Sequence, residues 1–153
     1  MSMRALRISF AAAVAALLTA GCSEKPPETR TLKISGTVQL PEGAAPVGDL
    51  HVEAYHAWTG TGELRHPLLL IGSFTAPVGD FSGTIEYEAG MGEGLLVYAW
   101  TDTDGDGVFC TPQNDTELAG LTEVADFPAE AVSVVLDLNA NCKAPNWFYP
   151  PAG

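Results

Sequence analysis

Three side chains able to share one cation stand at alternate positions in Asp102-Thr103-Asp104-Gly105-Asp106-Gly107. Carboxylates held this close repel one another, and a cation between them relieves the repulsion. Gly105 and Gly107 permit the tight turn that points all three inward. Carboxylates at the first, third and fifth places, with glycine at the sixth, have the spacing of a calcium loop. On that count Asp102, Asp104 and Asp106 ligate through their side chains, and Val108 offers its carbonyl at the seventh place. Cys110 is a poor ligand here, because calcium prefers hard oxygen.

The loop resembles the first half of an EF-hand or dockerin loop. Those families place a bidentate acid at the twelfth position, where this chain has Gln113, and no helical pattern flanks the loop. Either Gln113 contributes a neutral oxygen, or the loop is longer and Asp115 or Glu117 closes the shell. Asp115 is the favoured acid. The expected cofactor is Ca2+.

Other chemistries find less support. His51 and His56 lie an odd number of residues apart, so a regular strand sends them to opposite faces. His66 stands in a loop before Pro67, which leaves a copper or zinc site of His51, His56, His66 and Met91 without geometry. No serine sits in a Gly-x-Ser-x-Gly elbow, and no other catalytic constellation is visible. The expectation is a protein that is not an enzyme. Trp147-Phe148-Tyr149 in the tail has two readings. The aromatics either cover an edge or end of the fold, or form a platform for a glycan or protein partner. The Trp58 and Tyr55 region is a second candidate for glycan binding.

The chain opens with a positive segment, Met1-Ser2-Met3-Arg4-Ala5-Leu6-Arg7, followed by an apolar run from Ile8 to Leu18. That run falls short of the roughly 20 residues of a membrane span and has the flanks of a secretory signal peptide. It ends in Thr19-Ala20-Gly21-Cys22, which resembles a bacterial lipoprotein box. The resemblance implies that residues 1–21 are removed and that Cys22 carries the lipid. Ser23 after the cysteine implies an outer-membrane anchor by analogy with enterobacterial sorting.

Arg4 and Arg7 leave with the leader. Five of the seven basic residues then face 19 acids, a mature charge of about −14. Such a surface repels nucleic acid and anionic headgroups, so the expected partners are the membrane, through the lipid, and an envelope protein or glycan. With Cys22 lipidated, Cys110 and Cys142 remain, and in an oxidising compartment an isolated pair forms a disulfide.

Residues 22–31 read as a polar tether, 32–138 as the folded domain and 139–153 as an aromatic tail. Strands are expected at Leu32 to Leu40, Leu50 to Trp58, Leu68 to about Thr75, Phe81 to Tyr87, Leu95 to Thr101 and Ala131 to Leu138. Leu118 to Phe127 reads as a weak strand or one helical turn. Leu68-Leu69-Leu70-Ile71 is apolar on both faces, which predicts a central strand. About seven short strands separated by turns predict an all-β, Greek-key β-sandwich. The chain resembles transthyretin-like and carboxypeptidase-regulatory-like modules of bacterial envelope proteins. That resemblance rests on Ile34-Ser35-Gly36-Thr37-Val38, on the Gly79-Asp80-Phe81 turn and on Leu96-Val97-Tyr98-Ala99-Trp100.

Overall fold

The structure is a computed structural model that describes residues 26–45, 47–60, 63–90, 94–124 and 127–148, with side chains except at 57–60 and 63–67. The leader, Cys22, Met91, Tyr149 and the side chains of Trp58 and His66 lie outside the described residues. Among the described residues eight strands run in order: β1 (Thr29–Gln39), β2 (Asp49–Gly60), β3 (Glu63–Pro77), β4 (Asp80–Glu88), β5 (Gly94–Asp102), β6 (Leu118–Val124), β7 (Ala131–Asp137) and β8 (Ala140–Asn141). A single 3-10 turn, Pro145–Phe148, ends the described chain.

Alternation of apolar and polar residues builds these strands. Val132, Val134 and Leu136 are buried along β7, and Phe81, Ile85 and Tyr87 along β4, with polar or exposed positions between. Such strands need a partner sheet for the apolar face. The chain supplies two, ordered β4-β1-β7 and β3-β2-β5-β6-β8. Their inner faces meet in one core that includes Leu32, Ile34, Leu50, Val52, Leu95, Val97 and Leu136. Each such side chain contributes about 1.5–3 kcal/mol on burial. The result is the expected all-β sandwich. Leu118 to Val124 resolves as a strand, and β1 begins at Thr29, inside the segment read as tether.

Two expectations are overturned. The segment holding His66, read as a loop, belongs to β3, which begins at Glu63. β3 is not central but ends the five-stranded sheet, pairing with β2 and with no second neighbour among the described strands. The buried centre of that sheet is β5, every residue of which is buried. Both runs are apolar on both faces, but only β5 is covered on both. Leu69 and Leu70 of β3 stay 42% and 51% exposed. Pro67 and Pro77 fit an edge strand, where a missing N–H breaks no ladder.

β1 sits between β4, its antiparallel neighbour, and β7, its parallel one. At Gly36, paired with Val134, a Cβ would lie 2.2 Å from the Val134 carbonyl oxygen and 2.8 Å from the Phe81 ring. The backbones of β1 and β7 can approach this closely only over glycine. Gly36→Ala should therefore destabilise the domain by about 3 kcal/mol or more, in the range reserved for core disruption. Urea unfolding checks this, and an unchanged midpoint would contradict the close β1–β7 approach.

Candidate metal centre

β5 delivers the acidic loop. Its last residue, Asp102, is buried, and Asp104 and Asp106 follow it into solvent. One carboxylate oxygen from each of the three lies within 4.8 Å of the others. Gly105 and Gly107 take φ of +76° and +72°, the left-handed turn that glycine adopts without penalty. The turn bends the backbone around Asp102. Gly105 N–H donates to Asp102 Oδ1 at 2.7 Å, and Gly107 N–H donates to Oδ2 at 2.9 Å.

His51 approaches from β2, with Nε2 3.3 Å from Asp102 Oδ2, and its ring stacks on Trp100 at 4.0 Å between centroids. Burial acts to raise the Asp102 carboxyl, but the N–H groups of Gly107 and Gly105 and the His51 ring outweigh it. The carboxyl is held below its ordinary range and stays ionised. Asp104 and Asp106 are less committed. Asp106 N–H donates to Asp104 Oδ1 at 3.3 Å, and Val108 N–H to Asp106 Oδ1 at 2.7 Å. The donor set is hard oxygen throughout, which suits calcium or magnesium and not a soft metal.

Asp115, Gln113 and Val108 are exposed, and neither Asp115 nor Glu117 belongs to the trio. Glu117 is fully buried, with 0% exposure, and its carboxylate binds the loop from within. Oε1 accepts from Thr103 N–H at 3.0 Å and from Asn114 Nδ2 at 3.1 Å, and Oε2 accepts from Cys110 N–H at 2.7 Å. The Glu117 carbonyl accepts from Cys142 N–H at 3.0 Å. Sequence reasoning missed this role. The only signal was an acid directly before the apolar start of β6, where a carboxylate enters the interior and must find donors.

Cys110 and Cys142 form the expected disulfide, with Cα atoms 5.6 Å apart. Closing a loop of 32 residues contributes roughly 3–4 kcal/mol through the unfolded chain. Cys142 Sγ lies 3.2 Å from the Asp115 carbonyl oxygen, a packing contact, since a disulfide sulfur has no proton. The disulfide anchors the tail beside the loop. Phe109 of the loop and Phe148 of the tail both meet Tyr98, and Phe109 also meets Trp100, on the outer face of the five-stranded sheet. Lys143 Nζ stands 4.2 Å over the Phe148 ring. Trp147 remains 67% exposed, so of the described tail aromatics one covers the sheet and one faces solvent.

The histidines separate as the strand parity requires. His51 faces the loop, while His56 is buried on the inner side against Tyr87 and Phe127, with Nε2 unpartnered.

Glu117→Gln keeps the shape but turns one acceptor into a donor facing N–H groups. The expected cost is about 1–3 kcal/mol, with faster amide exchange at Thr103 and Cys110. Exchange at those two amides unchanged from the parent would remove Glu117 from this role.

No protein-family model matches the chain, and no curated protein does. One solved structure is similar to it, an alternative pilotin from the type II secretion system of Vibrio cholerae, at 14% identity and a TM-score of 0.40. The likeness covers 72% of this chain and 96% of the pilotin, and at that TM-score it carries nothing about function.

Proposed function

We propose that this chain is a non-catalytic lipoprotein, anchored through Cys22 to the outer membrane of a bacterial envelope. Calcium held by Asp102, Asp104 and Asp106 stiffens its loop, and the sandwich binds or braces another envelope component. One observation carries the calcium reading: three carboxylates within 4.8 Å on a segment fixed at both ends. The loop leaves β5 at one end and reaches the Cys110–Cys142 disulfide at the other. Charge repulsion in such a segment cannot be relieved by letting the chain drift apart. The leader and Thr19-Ala20-Gly21-Cys22 support the anchor.

Of the three, Asp104 and Asp106 are the freer ligands, because each commits only Oδ1 to a backbone N–H. Asp102 would contribute by staying ionised. The ion would supply charge neutralisation and a rigid loop, with no reaction attached to it.

For an affinity of about 10⁻⁴ M and calcium near 1 mM, mass action gives roughly 1.4 kcal/mol of stabilisation. The melting temperature should then rise by several degrees with calcium over chelator, and by less with magnesium. Asp104→Ala should abolish the rise and leave the disulfide intact. Equal melting with chelator, calcium and magnesium would reduce the aspartates to a solvated turn.

The anchor has its own test. Cys22→Ala should leave the membrane fraction or accumulate unprocessed. A variant that still fractionates as an integral lipoprotein would end the lipid assignment.

A further inference from the structure

Among the described residues, one side of the sandwich is open. β3 ends the five-stranded sheet and β4 ends the three-stranded sheet, and neither has a neighbour on its outer side among the described strands. From Leu68 to Ala76, β3 reads Leu68-Leu69-Leu70-Ile71-Gly72-Ser73-Phe74-Thr75-Ala76, without a charge or a proline. Free edges are ordinarily blunted by lysine, proline or an inward charge, because an unblunted edge pairs with other extended chains. Pro67 and Pro77 bound this run, and a bulge at Ile71 twists it, yet the row of donors and acceptors between them carries no charge.

The edge also has side-chain character. Leu69, Leu70 and Ile71 line a groove of about 460 Å³ whose other wall is the end of β4, with Glu86, Tyr87 and Glu88. Glu86 and Glu88 are exposed, so the groove pairs apolar surface with a carboxylate rim.

We propose that the free edge of β3 accepts an added strand, and that its occupant is an extended segment of a partner protein carrying apolar side chains interleaved with lysine or arginine. Main-chain hydrogen bonds along β3 supply affinity, while Leu69, Leu70, Glu86 and Glu88 select the side chains. A second copy of this chain is the poorer occupant, because pairing two edges would bring together two acidic chains, each of net charge −12 even with the leader counted, and their acidic rims. A basic segment neutralises the rim instead. The groove at Leu69 to Ile71 lies toward the start of β5, away from the acidic loop, whereas the Thr75 to Pro77 end of β3 lies two strands from Asp102; the proposal does not depend on calcium.

Hydrogen exchange on the full chain in detergent tests this, with three synthetic peptides of about nine residues, a common strand length. One alternates valine and lysine, one alternates valine and glutamate, and one is the lysine peptide with proline at its centre. The lysine peptide should slow exchange at residues 68–76 and leave β6 unchanged, equally with calcium and with chelator. The glutamate peptide should bind at least about tenfold more weakly, and the double variant Glu86→Lys, Glu88→Lys should weaken the lysine peptide by a similar factor. Central proline should abolish protection. Both substituted positions are exposed, so the variant retains the fold. No protection of β3 by the lysine peptide would overturn the proposal, as would equal protection by the lysine and glutamate peptides. Slow exchange at β3 without peptide, together with a dimer in sedimentation, would assign the edge to a second copy. A loss of the calcium melting shift with peptide binding intact would sink the calcium reading alone.

Discussion

β5 is buried on both faces, and that burial sets what surrounds it. Leu95, Val97 and Ala99 belong to the core between the sheets, while Tyr98 and Trp100 belong to a second apolar cluster on the outer face. A sandwich of two sheets covers only inner faces. The outer cover must come from loops, and here it comes from Phe109 after the aspartates and Phe148 in the tail. The path of the acidic loop is thus determined by aromatic residues on either side of it. The loop leaves β5 at Asp102, turns through two glycines and returns Phe109 to the sheet it left.

Burying that return path has an electrostatic consequence. The loop backbone carries N–H groups that no strand satisfies, and a buried donor without a partner is costly. Glu117 answers two of them, at Thr103 and Cys110, with one carboxylate. Asp102 answers two more, at Gly105 and Gly107. The acids of this region therefore divide by burial. Asp102 and Glu117 work inward on the backbone, and Asp104 and Asp106 stand outside.

What was legible in the chain follows from how far each signal reaches. Alternation is local, so β1, β2, β4 and β7 could be read from their own residues, and the disulfide followed from counting cysteines. Centrality in a sheet is not local. Leu68 to Ile71 and Leu95 to Trp100 look alike as short apolar runs, yet the first is an edge and the second a centre. The difference lies in length. In β5 apolarity on both faces persists over six residues, whereas β3 reverts after Ile71 to Gly72-Ser73-Phe74-Thr75, with Phe74 packed against the core. The aspartate trio could be read from spacing alone. The role of Glu117 could not, because two of its partners are main-chain groups that any residue would present.

The pairing of β1 with β7 joins the two ends of the fold, in register from Lys33 with Ala131 to Gln39 with Asp137. A chain that emerges N-terminus first can place β1 beside β4 early, but the other side of β1 waits for nearly the whole domain. Until β7 arrives, Leu32 and Ile34 lack the cover of Val132, Val134 and Leu136. Contacts this distant in sequence place the domain among slow folders, on the scale of milliseconds to seconds. During that interval the open side of β1 is exposed to stray pairing, in addition to the uncharged run of β3 that stays open afterwards. The molecule therefore depends on β7 reaching β1 before another chain does.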